Sequence, residues 1–349
     1  MEKEKAGRTE LSELGEFGLI DHLTENIILK NKSSVRGVGD DAAVIDNGDK
    51  LTLVSTDLLV EGVHFDLTYV PLKHLGYKAA VANISDIVAM NGTAKQLLVG
   101  ISVSNRFSVE GLEELYSGIR KACEIYHVDL AGGDTTSSVT GLFISITVVG
   151  EVDRKEVVYR NTAGENDLIC VSGDLGGAYM GLLLLEREKA VFKDDPNMQP
   201  DLEGHDYILG RQLKPEPRTD IIKVLKELKV RPTAMIDISD GLGSEILHIC
   251  KGSGLGCRIY EPKIPIDPAT ISAAEMFNIG PWTAALNGGE DYELLFTIGQ
   301  KDFNKVDTVE GISIIGHMTG PGEGTYLVTA SDTLVEISAQ GWDAIRNKF

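Results

Sequence analysis

The sequence predicts a two-domain α/β protein, and three observations carry this prediction. The chain has 349 residues, more than one typical domain contains. Strand-like runs of β-branched or alternating residues take turns with longer runs of helical periodicity along the chain. Several strand-like runs end at turns that combine glycine with aspartate, and ligands of α/β sheets bind outside strand ends.

The first half of the chain is predicted to be a domain spanning residues 15–152, preceded by a loose polar arm at residues 1–14. A helix from Gly15 to about Leu29 leads to the stretch Gly37–Val44, where glycines bring two adjacent aspartates close to a ligand. The further elements expected here are a hairpin at 42–55, helices at 71–90 and 109–126, and strands at 96–104 and 142–152.

The second half, residues 153–349, is predicted to form another domain of strands and helices. A strand at 167–172 leads through a glycine-rich turn into a helix, an order typical of phosphate-binding elements, although the lysine of a P-loop is absent. Strands are also expected up to Asp237 and after Glu290, each next to a glycine turn. The polar segment 193–205 is expected to be a surface loop, and no role is assigned to it.

Composition and charge restrict the function. The chain has 53 acidic and 33 basic residues and a formal net charge of −20, so neither nucleic acid nor an anionic membrane is expected as a partner. No apolar run is long enough for a transmembrane helix, and the charged start Met1–Lys5 does not resemble a signal peptide. The four scattered cysteines are expected to be reduced thiols, which favours a cytoplasmic location. A nucleotide ligand is compatible with this negative charge, because Mg²⁺ can lie between a carboxylate and a phosphate.

The repeated acidic turns are the main functional signal. Each turn alone is better explained as a purely structural feature, because glycine and aspartate are common turn residues. Carboxylates that converge on one cleft repel one another without cations, so together the turns predict a nucleotide site with several Mg²⁺ ions. Asp86, inside an apolar helix, needs a cation, a hydrogen-bond donor or a raised pKa. The turn and strand-end aspartates are Asp41, Asp57, Asp134, Asp237 and Asp240, and residues 129–136 are interpreted as a strand end that runs into such a turn.

Short motifs in a fixed order carry a family resemblance. They are GEF at Gly15, GDDAA at Gly39, STD at Ser55, GVHF at Gly62, NISD at Asn83, GGDTT at Gly132, DISDGL at Asp237 and GGEDYEL at Gly288. With them the chain, over about residues 15–345, resembles the thiamine-monophosphate kinase family of the aminoimidazole ribonucleotide synthetase-like superfamily. The resemblance implies transfer of the γ-phosphoryl group of ATP to thiamine phosphate, which gives thiamine diphosphate and ADP.

The resemblance also implies an assembly and a set of residue roles. It implies a homodimer in which the strands of the N-terminal α/β domains form a shared β-barrel, beside C-terminal α/β domains whose mixed sheets are flanked by helices. No protein general base is expected, because a phosphate monoester is largely dianionic near pH 7. The implied metal ligands are Asp41, Ser55, Thr56, Asp57, Asp86, Asp134, Asp237 and Asp240, the ATP contacts Gly133, Asp134, Arg160 and Ser239, and the thiamine contacts His64, Glu290 and Trp342.

Simpler interpretations stay open for single residues. His64 could be a core histidine, Trp342 could pack without touching a ligand, and Arg160 could form an exposed salt bridge. Contacts of a C-terminal lid are open as well, because residues 342–345 depart from the family pattern. The rival functions are another ATP-dependent enzyme of the superfamily with a different acceptor, and a nucleotide-binding protein without catalysis.

Overall fold

The computed structural model describes residues 11–338, and this part of the chain contains two mixed β-sheets flanked by helices. The first sheet consists of β1 (Ser34–Arg36), β2 (Ala43–Asp46), β3 (Lys50–Val60), β4 (Thr93–Val103), β5 (Asp129–Ser137) and β6 (Leu142–Asp153). Its strand order is β1-β2-β3-β6-β4-β5, with β4 and β5 parallel and the other neighbours antiparallel. The edge strand β5 is exposed along most of its length.

The second sheet has seven strands. They are β7 (Leu168–Ser172), β8 (Ala234–Asp237), β9 (Gly256–Tyr260), β10 (Leu294–Ile298), β11 (Ile312–Thr319), β12 (Thr325–Val328) and β13 (Leu334–Glu336). Their order is β13-β12-β9-β11-β7-β10-β8, in which β12 and β9 pair in parallel. Buried apolar side chains such as Ile169, Ile236 and Leu295 form its core.

Ten α-helices accompany the sheets within the described residues. They are α1 (Leu11–Thr24), α2 (Leu72–Ala89), α3 (Val109–Tyr126), α4 (Gly177–Asp194), α5 (Asp206–Leu213), α6 (Thr219–Glu227), α7 (Leu242–Ser253), α8 (Pro268–Met276), α9 (Pro281–Asn287) and α10 (Phe303–Val306). No helix in residues 11–338 combines the length and the apolar character that crossing a membrane would require. The four cysteines at 123, 170, 250 and 257 are buried and form no disulfide.

One face of the first sheet is covered and the other is open. The helix α2 packs on β3 and β6 and also on α3, and the side chains that point towards it, such as Leu53, Leu97 and Ile146, are fully buried. Side chains alternate between the two faces of a strand, and Leu58 and Leu98 on the other face are 66% and 41% exposed. Within residues 11–338, these two apolar side chains are therefore left open to solvent.

Most elements of the first half agree with the sequence prediction. The hairpin joins β2 and β3, α2 begins directly after its cap Pro71, and α3 has the expected bounds. The strand β6 is also confirmed, with one extra residue at its end.

Two expectations about the first half are wrong. The helix α1 begins at Leu11, inside the expected loose arm, is interrupted at Gly15 with φ 70°, and ends at Thr24 rather than Leu29. Residues 129–136 do not end in a turn, because β5 continues as a strand to Ser137. Gly133 does not form a turn but allows β5 to lie close to β4, because a Cβ atom at this position would lie 1.9 Å from the carbonyl oxygen of Val99.

Candidate active site

Four aspartates from both halves of the chain form an acidic cluster, which consists of Asp41, Asp57, Asp86 and Asp237. Asp41 lies in the glycine-rich loop before β2, Asp57 on β3, Asp86 on α2, and Asp237 at the end of β8. The charges of Asp41, Asp57 and Asp237 each raise the pKa of at least one other member. The fold therefore brings together residues that are up to 196 positions apart in the sequence.

Burial and mutual repulsion raise the pKa values of the acidic cluster. Burial raises the pKa of Asp41 well above its ordinary value, and the nearby charges of Asp237 and Asp40 raise it further. Burial is also the main cause of the strongly raised pKa of Asp86, and the charges of Asp57 and Asp237 raise it further. The pKa of Asp237 is raised to about 6, and burial raises that of Asp57. Such a cluster is a place where a bound cation removes a large repulsion.

Two serine hydroxyls orient members of the cluster. The Ser55 hydroxyl donates to Oδ2 of Asp86 at 2.7 Å, and the Ser85 hydroxyl donates to Oδ2 of Asp237 at 2.5 Å. Ser55 and Asp57 lie two positions apart on β3, so both point to the sheet face that α2 covers. This alternation explains how the STD motif delivers its first and third side chains to Asp86.

The donor set of the acidic cluster fits Mg²⁺. Its side-chain donors are hard carboxylate and hydroxyl oxygens, the ligands that this ion prefers. The buried Oδ2 of Asp41 accepts no hydrogen bond from the residues that the structure describes, so it retains a free lone pair for a cation. Within residues 11–338, no three His, Cys, Asp or Glu side chains are arranged so that they could hold a metal ion as they stand. The aspartates thus face one region without forming a complete set of ligands.

Arg160 lies beside the acidic cluster, on the connection between the two sheets. Its Nε donates to the carbonyl oxygen of Gly39 at 2.9 Å, and its backbone amide lies 3.4 Å from Oδ1 of Asp40. The positive charge of Arg160 lowers the pKa values of Asp41 and Asp237 without cancelling the effect of burial. The guanidinium group is therefore close to the acidic cluster.

The DISDGL and GGEDYEL motifs pack against each other through their backbones. The amide of Glu290 donates to the carbonyl of Ser239 at 2.7 Å, and the amide of Tyr292 donates to Ile238 at 2.9 Å. Gly289 permits this approach, because a Cβ atom there would lie 2.3 Å from the carbonyl oxygen of Ser239. Residues near the metal site and near the expected thiamine site are thereby held in one unit.

Glu245 is a site residue that the sequence reasoning missed. Its Oε1 accepts hydrogen bonds from the amides of Ser239 and Asp240 at 3.3 and 2.9 Å. Burial raises its pKa well above the ordinary value, and the charge of Asp240 adds to this. The available signal was an acidic residue in the first turn of α7, directly after the DISDGL motif, where helices favour negative charge.

The expected thiamine contacts lie next to a buried cation. Lys78 Nζ is 2.8 Å from Oε1 of Glu290, and Gln212 Nε2 donates to Oε2 of the same carboxylate at 2.8 Å. The exposed His64 accepts a hydrogen bond at Nδ1 from the amide of Val60, at 3.0 Å. Both His64 and Lys78 line a cavity of about 20 Å³, which has room for a single water molecule. A group much larger than a water molecule does not fit in this space as the structure has it.

Several expected site residues are not brought to the acidic cluster. Thr56 points to the opposite sheet face from Asp57, where its hydroxyl lies 3.0 Å from that of Thr147. Gly133 and Asp134 lie on the exposed edge strand β5, separated from β3 by β6 and β4, a distance of about 14 Å at typical strand spacing. Trp342 and the rest of the C-terminal segment lie outside the described residues.

A match to a known domain family first places this chain in a class of proteins. Residues 39–152, which contain β2–β6 and three of the four cluster aspartates, match the family of AIR synthase related protein, N-terminal domain. The class is therefore that of proteins with an AIR synthase related N-terminal domain.

Comparison with individual relatives narrows the class. A thiamine-monophosphate kinase of Bacillus subtilis is 34% identical over 293 residues, covering 83% of this chain and 85% of the relative. That of Aquifex aeolicus is 33% identical over 320 residues, covering 89% and 97%. The solved structure of AaThiL complexed with AMPPCP and TMP is similar with a TM-score of 0.81 and 32% identity, covering 97% and 99%. The chain belongs to the thiamine-monophosphate kinase family.

Proposed function

We propose that this enzyme transfers the γ-phosphoryl group of ATP to thiamine phosphate and releases thiamine diphosphate and ADP. The observation that carries the proposal is the acidic cluster, in which both halves of the chain contribute carboxylates whose pKa values burial raises. A family member that has lost catalysis would not need to keep these repelling charges together. The similar structure that is complexed with AMPPCP and TMP supports this pair of substrates.

The side chains of the site have distinct tasks in this proposal. Asp41, Asp57, Asp86 and Asp237, with Ser55 and Asp240, hold Mg²⁺ ions, and Thr56 contributes through its backbone. When bound, Mg²⁺ shields negative charge on the phosphates. Arg160 and Ser239 contact the phosphates of ATP, while His64, Glu290 and Trp342 position the thiamine part. The chain thus binds, orients and neutralises its substrates.

No side chain is required as a general base. The attacking oxygen belongs to a phosphate monoester whose second pKa is about 6, so the acceptor is already largely deprotonated near pH 7. Although the residue as a whole is exposed, partial desolvation of the imidazole lowers the pKa of His64 below its ordinary value. Its Nδ1 accepts a hydrogen bond from the Val60 amide. The second ring nitrogen then carries the proton in the neutral form, which suits a positioning role.

The proposed active form is a homodimer in which two copies of the first sheet close into a shared β-barrel. Its support is the open apolar face with Leu58 and Leu98 and the exposed edge strand β5. Gly133 and Asp134 lie on this edge, so they reach ATP or Mg²⁺ only from the region that a second copy would cover. The chain is proposed to divide into domains at about residue 152. Use of ATP and four free thiols support a cytoplasmic location.

The test of this function is a direct assay. The full-length protein is incubated with ATP, Mg²⁺ and thiamine phosphate, and thiamine diphosphate and ADP are measured by chromatography. Equal amounts of both products are expected, and none should form when EDTA replaces Mg²⁺. Release of ADP without thiamine diphosphate would favour another acceptor. Nucleotide binding without turnover of any kind would favour the non-catalytic alternative.

A further inference from the structure

A cavity of about 550 Å³ with basic walls lies beside the second sheet, and we call it the basic cavity. Four of its lining residues are cationic and one is acidic, although acidic residues outnumber basic ones by 53 to 33 in the whole chain. Positive charge is thus concentrated here against the trend of the molecule, which favours an anionic ligand. The lining residues are Lys229, Arg231, Thr233, Gly299, Lys301, Asp302 and Lys305.

Most of this positive charge is not neutralised by the protein. Lys305 pairs with Asp302, with 2.6 Å between Nζ and Oδ1. Arg231 donates from Nη2 to the carbonyl oxygen of Val157 at 2.7 Å, which fixes the guanidinium without a counter-charge. In the part of the chain that the structure describes, Lys229, Lys301 and Arg231 form no ion pair with any carboxylate. Three unpaired cations therefore line one concave space.

The remaining polar groups of the wall are already satisfied. The Thr233 hydroxyl donates to Oδ2 of Asp167 at 2.6 Å, and Asp167 also accepts the amide of Gly164 at 2.7 Å. Asp167 is buried and does not line the cavity. Lys229 has a left-handed backbone with φ 51° because it closes the C-terminus of α6, where the amide of Val230 donates to the carbonyl oxygen of Leu225 at 2.9 Å. The backbone of this part of the wall is therefore fixed, while the side chain of Lys229 is exposed.

The basic cavity is separate from the candidate active site. Thr233 directly precedes β8 and Gly299 directly follows β10, and these strands are antiparallel neighbours. Asp237 lies at the other end of β8, about 13 Å from Thr233 at the usual rise per residue. A small ligand in the basic cavity would not overlap the acidic cluster.

We propose that the basic cavity binds a small molecule that carries a diphosphate group. Its volume falls within the range of about 300–1,000 Å³ that is usual for small-molecule sites. The guanidinium fork of Arg231 suits bidentate phosphate binding, and Lys229 and Lys301 add point charges at the rim. A diphosphate group carries more negative charge and spans a longer distance than a single phosphate, so it can neutralise more of these cations.

Three probes distinguish the source of the diphosphate. Inorganic diphosphate tests the shared chemistry alone. ADP and thiamine diphosphate test a nucleotide and a thiamine source, and their choice rests on the proposed function, since both would be products of the reaction. The titrations use full-length protein in EDTA at low ionic strength and are followed by calorimetry. Without metal, the carboxylates of the acidic cluster repel all three anions, so binding there does not interfere.

A matched pair of double variants tests the location. Lys229→Gln with Lys301→Gln removes two charges from the cavity, while Lys223→Gln with Lys226→Gln removes two from the exposed face of α6. The first pair is expected to weaken binding of inorganic diphosphate about tenfold or more, and the second to change it less than about twofold. Lys229→Arg with Lys301→Arg should retain binding. All four lysines are exposed, so each variant is expected to fold.

Each other outcome overturns the proposal. Absence of binding by all three probes would exclude a diphosphate site. Equal weakening in the two glutamine pairs would show that only net charge matters. Binding of inorganic phosphate as tight as that of inorganic diphosphate would exclude selectivity for the diphosphate group. The kinase assay is measured separately. If the protein has no kinase activity but binds diphosphate in the basic cavity, the proposed function fails and this site stands. If it has kinase activity but does not bind diphosphate there, this site fails and the proposed function stands.

Discussion

Ser85 and Asp237 connect the two halves of the chain through one hydrogen bond, 2.5 Å long between the serine Oγ and Oδ2 of the aspartate. Ser85 lies on α2, which covers the first sheet, and Asp237 ends β8 of the second sheet. Both residues are buried. The bond lowers the pKa of Asp237 while burial raises it, to about 6. One contact therefore fixes the relative position of two cluster elements and also favours the ionised carboxylate.

Ser85→Ala is expected to reduce both stability and turnover. Loss of the donor leaves a buried carboxylate oxygen without its partner, which destabilises the fold by about 1–3 kcal/mol. The pKa of Asp237 rises further, so a higher Mg²⁺ concentration is needed to reach half-maximal rate. Urea unfolding and a Mg²⁺ titration of the rate measure the two effects. If the Mg²⁺ concentration for half-maximal rate is the same in Ser85→Ala and wild type, this hydrogen bond does not contribute to metal binding.

Asp57→Asn is expected to lower turnover by about 100-fold or more, because phosphoryl transfer depends on positioning and charge neutralisation. Asp237→Asn should act in the same direction. The fold should stay intact, since relief of repulsion offsets the lost group. Steady-state kinetics across a range of Mg²⁺ concentrations provide the measurement. Wild-type turnover of Asp57→Asn at limiting Mg²⁺ would contradict the assignment of Asp57 as a ligand.

Metal removal should make stability depend on pH with a definite sign. The folded pKa of Asp237 is about 6 and its ordinary value is 3.8, so the folded state binds more protons between these values. The contribution to the free energy of unfolding is then complete below about pH 4 and is lost as pH rises through 6. In EDTA, the Tm of wild type should fall more between pH 5 and 7.5 than that of Asp237→Asn.

Addition of Mg²⁺ at pH 7.5 should reverse this loss in wild type, because a ligand that binds only the folded state raises its Tm. The comparison with Asp237→Asn removes the contributions of carboxylates elsewhere, such as Asp291, whose pKa burial raises to about 7. Identical slopes in the two proteins would show that repulsion in the acidic cluster does not limit the stability of the metal-free form.

The sequence allowed prediction of elements with strong local signals. The helix at 109–126 has a clear apolar periodicity, and in the structure Ser108 also caps it by accepting a hydrogen bond from the amide of Gly111. The hairpin at 42–55 has an Asn-Gly turn. In both cases the residues that define the element lie within a few positions of each other, so no knowledge of the tertiary fold was required.

Features that depend on distant partners could not be predicted. Glycine at 133 indicated a turn, whereas its function is to let β5 approach β4 closely. Thr56 was grouped with Ser55 and Asp57 from the motif, although alternation along β3 places its side chain on the other face. Glu245 accepts backbone amides that only the folded turn brings to it. A sequence motif shows which residues follow one another along the chain, but it does not show the direction in which each side chain points.

Leu98→Glu is expected to convert the proposed dimer into a monomer. Leu98 is 41% exposed on the open face of the first sheet, and a carboxylate there would be buried without a partner in the interface. Light scattering at micromolar concentration measures the mass. Met276→Glu on α8, which has the same exposed fraction of 41%, is the control and should leave the mass unchanged. A monomeric wild type with full activity would contradict the dimer.

His64→Ala tests the absence of a protein base. His64 is the histidine of the GVHF motif and the obvious candidate for a base, yet the acceptor phosphate needs no deprotonation above its second pKa of about 6. We expect KM for thiamine phosphate to rise about tenfold while kcat falls less than about threefold, as for a lost binding contact. Thiamine itself, whose hydroxyl has a far higher pKa, should be a very poor acceptor for both proteins.

The pH profile of His64→Ala separates positioning from base catalysis. If the acidic limb belongs to the acceptor phosphate, it survives in the variant, because ionisation of the substrate does not depend on the imidazole. If it belongs to His64, whose pKa burial lowers from its ordinary value, the limb disappears and kcat collapses at saturating substrate. The second result would identify His64 as a true base. The first would leave the substrate's own dianion, oriented by His64 and shielded by the metal site, as the nucleophile.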